Sequence, residues 1–240
     1  TDINGSINTS GNGSTSIDGN STEGNGTWIE PNASINTTDN GTTNISGNST
    51  NGSGVIDDGS INTTDNGTTN ISGNSTNGDG TDINGSINTS GNGSTDISGN
   101  STEGNGTWIE PNASINTTDN GTTNISGNST NGSGVIDDGS INTTDNGTTN
   151  ISGNSTNGDG TDINGSINTS GNGSTDISGN STEGNGTWIE PNASINTTDN
   201  GTTNISGNST NGSGVIDDGS INTTDNGTTN ISGNSTNGDG

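Results

Sequence analysis

Asparagine is the residue type of this chain with the most evident chemistry. Residues 1–80 hold 16 Asn, and 15 of them open an Asn-x-Ser/Thr triplet, Asn77 being the exception; over the whole chain that is 45 of 48. The triplet is the acceptor for N-linked sugar, which places such residues on the surface of an exported protein. Stacked or cross-strand Asn lie only about 5 Å apart, too close for a glycan on each. The expected acceptors are therefore the Asn of Gly-Asn-Ser-Thr, read as loop residues: Asn20, Asn48, Asn74, Asn100, Asn128, Asn154, Asn180, Asn208 and Asn234.

Carboxylates supply the remaining chemistry. There are 27 Asp and Glu and no Lys, Arg or His, for a formal charge of −27. No internal salt bridge is available, and no basic surface exists to hold DNA or RNA. With no His, Cys, Lys or Tyr, the usual nucleophile and base pairs cannot be assembled, so the chain is read as no enzyme and no catalytic or cofactor-binding residue is assigned. Asp57 and Asp58 are adjacent carboxylates that could share Ca²⁺; they are read here as a solvated turn, with no assigned metal ligand. Trp28, Trp108 and Trp188 each precede Ile-Glu-Pro and are read as corner covers or packing residues.

These residues are set out by repetition. Residues 81–160 and 161–240 are identical, and 1–80 departs from them only at Ser16 and Asp18, where the second block has Asp96 and Ser98. The blocks 1–80, 81–160 and 161–240 each hold three smaller units; those of the second block begin at Ile87, Ile115 and Ile141 and run for 28, 26 and 26 residues. Units of near-constant length mark an array in which each repeat buries its apolar side on the next. The array begins at residue 1 and runs to residue 240 without caps, as expected for an excerpt of a longer or endlessly assembled chain.

Only 15% of residues are apolar, and Leu, Phe, Tyr, Met and Cys are absent. A compact core from so few side chains cannot offset about 1–2 kcal/mol of backbone entropy per residue. Stacked β-structure can, because backbone ladders and like-on-like polar stacking supply order without a thick interior. Gly every few residues excludes helix. The segment Ile61–Ile71 is a near palindrome about Asp65-Asn66-Gly67. Period-2 alternation puts Ile61, Thr63, Thr69 and Ile71 on one face and the Asn residues on the other. The palindrome suits a hairpin whose Gly takes the left-handed position; the constant unit length, varying at one corner alone, suits rungs. The expected fold is all-β and elongated, a β-solenoid of 26–28-residue units, with a long antiparallel meander as the alternative. Each rung would carry three acids, roughly one charge per 1.6 Å of axis for strands about 4.8 Å apart. That approaches the charge density of duplex DNA, so condensed cations, Ca²⁺ among them, are expected partners.

The segment Asn77–Ile83 resembles the calcium-binding nonapeptide repeat of secreted toxins and adhesins, but Ile83 follows Asp82 directly, which breaks that motif's phase. The Asn-Ile-Ser-Gly-Asn and Thr-Thr-Asp-Asn-Gly segments throughout are similar in texture to secreted β-solenoid surface proteins such as filamentous haemagglutinin-like adhesins. That resemblance implies an exported, elongated, non-enzymatic protein at the cell surface or outside it, self-associating into a fibre and carrying N-glycans. The expected role is a structural subunit of an extracellular filament, sheath or surface layer. The alternatives are a cation-stiffened adhesin stalk and an ice-binding solenoid. No apolar run is long enough for membrane insertion.

Overall fold

The computed structural model describes residues 1–240. It contains three parallel sheets of nine strands each and no helix. Every turn of the chain adds one strand to each sheet: a short strand such as Thr81–Ile83, a four-residue strand such as Ser86–Thr89, and an eight-residue strand such as Ser94–Ser101. Each strand pairs in register with its equivalent one turn on, as Ile87 does with Ile61 and Ile115. The fold is thus a β-solenoid of nine turns, and pairing passes from block to block without a break, Thr81 lying beside Val55. At about 4.8 Å per turn the stack is roughly 40 Å long.

The antiparallel alternative is overturned, and the palindrome shows why it was attractive. Ile61, Thr63, Thr69 and Ile71 do share one face and are all buried. They meet across a corner of one turn rather than across a hairpin: Thr63 Oγ1 donates to Thr69 Oγ1 at 2.8 Å, while each strand's backbone pairs with the turns before and after. At the corner Asp65, not Gly67, has positive φ (57°). Gly91 takes the same place in the next turn with φ 66°, and Asp and Gly are residues that tolerate that region. Gly67 is needed for a different reason: a Cβ there would lie 2.7 Å from the Thr37 carbonyl oxygen of the turn before.

The interior is thin. Columns of Ile such as Ile35, Ile61, Ile87 and Ile115 fill it, each 0% exposed, at about 1.5–3 kcal/mol per buried side chain. Gly73 of a long strand lies against Gly80 of the same turn, and a Cβ on it would overlap the Gly80 carbonyl. Beside the Ile columns runs a chain of Thr hydroxyls. Thr69 donates to Thr37 at 3.0 Å and Thr95 to Thr63 at 3.1 Å. Such links join every turn from Thr9 and Thr15 to Thr223 and Thr229. A buried hydroxyl without a partner costs about 1–3 kcal/mol; stacking identical turns gives each one its partner. The 28-residue turns place their two additional residues at one corner, where Pro31 and Asn32 are exposed and Ala33 turns inward.

Candidate functional site

The outer faces of the four-residue and long strands are amide ladders. Asn62 donates from Nδ2 to Asn36 Oδ1 at 3.0 Å, and Asn88 to Asn62 at 2.9 Å. The nine expected acceptors form a second ladder. Asn48 donates to Asn20, Asn74 to Asn48, Asn100 to Asn74, and so on to Asn208 on Asn180, at 2.9 to 3.0 Å; Asn234 stacks on Asn208 at the end of the column. All nine are exposed. They are not loop residues, however. Each is the seventh residue of an eight-residue strand and sits one strand spacing from its neighbours. The crowding that limits the other stacked Asn limits these equally. Nothing in the sequence near Asn48 or Asn74 marked the difference, because Gly-Asn-Ser-Thr reads as loop by composition.

The short-strand sheet is built differently. Its inward column runs Ile29, Asp57, Ile83, Ile109, Asp137, Ile163. Asp57 is therefore not part of a solvated turn: it is 0% exposed, between two Ile. Its Oδ1 accepts the Gly59 N–H at 3.0 Å and its Oδ2 has no partner. Burial pushes the carboxyl up from 3.8 to about 7, against the lowering effect of the Gly59 bond and with a further rise from Asp58; Asp137 behaves alike. Ile56 faces outward in the same strand. Alignment of Val55-Ile56-Asp57 with Thr81-Asp82-Ile83 residue by residue, rather than by apolar character, reveals the exchange.

The outward column of this sheet runs Asp2, Trp28, Ile56, Asp82, Trp108, Ile136, with the same order repeating through Asp162 and Trp188. Beside it Asn4, Glu30, Asp58, Asn84, Glu110 and Asp138 follow strand ends in turn. Each Trp covers this corner and donates its indole N–H to the Asp one turn on: Trp28 to Asp58 at 2.6 Å, Trp108 to Asp138 at 2.8 Å, Trp188 to Asp218 at 3.2 Å. Asp82 lies between Ile56 and Trp108 and is 8% exposed. Burial, then Glu110, Asp79 and Asp58, raise its carboxyl to about 8; burial, then Glu190, Asp159 and Asp138, raise Asp162 to about 7. Burial also raises Asp79 and Asp159, each of which accepts a backbone N–H at 2.6 Å, from Asn105 and Asn185. No three carboxylates, with or without His or Cys, close to the spacing of a metal centre.

No protein-family model matches this chain, and no curated protein does. Among solved structures there is a match to the crystal structure of a TibC-catalysed hyper-glycosylated fragment of TibA, at 16% identity over 97% of each chain and a TM-score of 0.23. At that TM-score the two backbones do not overlay as one arrangement, and the solenoid stands on its own strand register.

Proposed function

We propose that this chain is a structural segment of an extracellular filament, sheath or surface layer, built to continue end to end and to carry N-glycans on its asparagine ladders. One observation carries the reading. The ninth turn, from Val215 to Gly240, has the same sequence as the third and sixth. Those turns are covered by turns beginning at Thr81 and Thr161, whose sequence recurs from Thr1 except at Ser16 and Asp18. A second copy's first turn therefore fits the ninth as the fourth fits the third, extending all three sheets, the Ile columns and the Thr chain. Ile231 belongs to the Ile column that such a contact would continue, as Ile71 and Ile151 do under the turns that follow them. The composition suits a filament, since there is no Lys or Arg for trypsin and no Cys or Met to oxidise.

Electron microscopy of the purified chain at rising concentration is the test. Unbranched fibres of one solenoid's width support the reading, and Ile231→Lys should shorten them. Rods of fixed length at every concentration would overturn it, and native rods that end in a globular tip would identify an adhesin stalk instead. Intact mass tests the glycans: native material heavier than the bare 23.4 kDa supports them, and an equal mass makes the triplets incidental to the ladders.

A further inference from the structure

One group of buried polar atoms is left unserved by the fold. Asp82 Oδ1 and Asn84 Oδ1 are both buried without a hydrogen-bond partner. Asn84 donates from Nδ2 to Asp58, at 3.1 Å, and its carbonyl oxygen has no partner. Asp58 is already served, because Trp28 donates to its other oxygen. Glu110 sits one turn on, its N–H donating to the Ile83 carbonyl at 2.8 Å, and its charge bears on Asp82. Two carboxylates and an amide oxygen therefore share one corner, with Asp82 between Ile56 and Trp108. The chain has no Lys, Arg or His to neutralise them. A buried charge left unpaired is costly, and only a proton or a metal ion remains to pair this one.

The group recurs as Asp162, Asn164 and Glu190, where Asp162 Oδ1 and Asn164 Oδ1 are again unpartnered and Asp138 takes both Trp108 and Asn164. It does not recur at the start of the chain. There Asn4 turns its Nδ2 to Glu30 at 2.5 Å.

We propose that Asp82, Asn84 and Glu110, and again Asp162, Asn164 and Glu190, bind a divalent cation of the calcium class. The donors are all hard oxygens, which excludes the thiolate- and imidazole-seeking metals. Ca²⁺ accepts carboxylates and side-chain amide oxygens in irregular shells, whereas Mg²⁺ demands near-ideal octahedra. Asn84 and Glu110 are only partly buried, so solvent reaches the edge of this corner.

Trp108 and Trp188 pair directly with Asp82 and Asp162 in the sheet, so Tb³⁺ bound there should be sensitised by indole excitation. The titration uses the full chain at roughly 0.1 M monovalent salt, where diffuse ion attraction is largely screened. The expected result is green emission saturating at two Tb³⁺ per chain and displaced by Ca²⁺. E110Q/E190Q should weaken binding at least tenfold. E103Q/E183Q removes the same charge from an exposed corner where Glu103 and Glu183 accept from Asn131 and Asn211, and should leave binding unchanged. Circular dichroism of each variant checks that the solenoid persists. No saturable emission would show that the carboxyls share only a proton and would overturn the proposal. Equal weakening by the two double variants would show a diffuse cation atmosphere and would overturn it as well.

Discussion

The long-strand sheet repeats in every turn; the short-strand sheet repeats only every third. In the first, Thr69, Ile71 and Gly73 recur at the same places in all nine turns, apart from end effects. In the second, Asp82, Trp108 and Ile136 take turns in one outward column, and Ile83, Ile109 and Asp137 in the inward one. Uniform columns satisfy themselves, because a hydroxyl or amide is at once donor and acceptor and meets its own kind. A carboxylate cannot do this. All six buried atoms without partners, on Asp57, Asp82, Asn84, Asp137, Asp162 and Asn164, belong to the short strands or the corner that follows them. So do the carboxyls shifted furthest. Identical stacking supplies order, and departures from it concentrate charge where water is excluded.

The largest effect expected of that difference is on pH dependence. Asp57 and Asp137 titrate at about 7 when folded against 3.8 otherwise. Between about pH 4 and pH 7 the folded chain keeps protons that the unfolded chain releases, so their contribution is most favourable below that window and is lost as pH rises through it. The loss is on the order of 4 kcal/mol for each group. The charge of Asp58 raises Asp57 further and so acts in the same sense. Denaturation midpoints followed across the window should fall with rising pH, and D57N/D137N should make the slope clearly shallower, the remainder belonging to Asp82 and Asp162, which are raised in the same sense. An unchanged slope would mean that these carboxyls reach water.

A smaller effect tests the uniform sheet by steric means. Gly73→Ala places a methyl on the Gly80 carbonyl, and neither backbone can yield without breaking a ladder. A cost of about 3 kcal/mol or more is expected from overpacking of that kind. Gly5→Ala, with nothing within 4 Å of the new methyl, should be close to neutral. Equal midpoints for the two variants in urea would show that the interior is less tightly closed than its columns indicate.

The Thr chain sharpens the same comparison at the level of one hydroxyl. Thr69 accepts from Thr63 and donates to Thr37. Thr69→Val keeps the shape, leaves the buried Thr63 O–H without its acceptor and takes a donor from Thr37, for about 1–3 kcal/mol. Thr69→Ser keeps the hydroxyl and loses a methyl, for about 1 kcal/mol. A Val variant as stable as the Ser variant would mean the hydroxyl chain adds nothing beyond volume.

Much of this was legible in the residues. Period-2 alternation placed Ile61, Thr63, Thr69 and Ile71 inward and Asn62 and Asn70 outward, and the 26- and 28-residue spacing pointed to rungs. The hairpin was equally compatible with the palindrome, because what decides between them is pairing at a distance of one whole unit. Local pattern is blind to that term. The inward place of Asp57 ran against residue type, and only strict alignment of the short strands exposes it. The loop reading of Asn48 and Asn74 failed for the same reason, since Gly and Asn in a stacked strand gain from neighbours that are remote in sequence.

The smallest expected effect lies where the uniform sheet itself departs from uniformity. In the outward column through Asn44, Asn70 and Asn124, the fourth and seventh turns carry Asp96 and Asp176. Asn124 donates to Asp96 and Asn204 to Asp176, both at 2.5 Å, but a carboxylate has no N–H to pass to Asn70 or Asn150, and the ladder stops there. D96N/D176N supplies the two missing donors and removes two charges from a rod that has no positive side chain. Each restored bond is worth about 0.5–1 kcal/mol at most on a half-exposed face, and relief of like-charge repulsion adds to it. The melting temperature should rise by a few degrees. The rise should be larger near 0.01 M salt, where the Debye length is about 30 Å, than near 0.1 M, where it is about 10 Å. A rise that ignores salt would assign the whole gain to the hydrogen bonds. No rise at either concentration would show that this ladder, unlike the Thr chain beneath it, is held by its backbone alone.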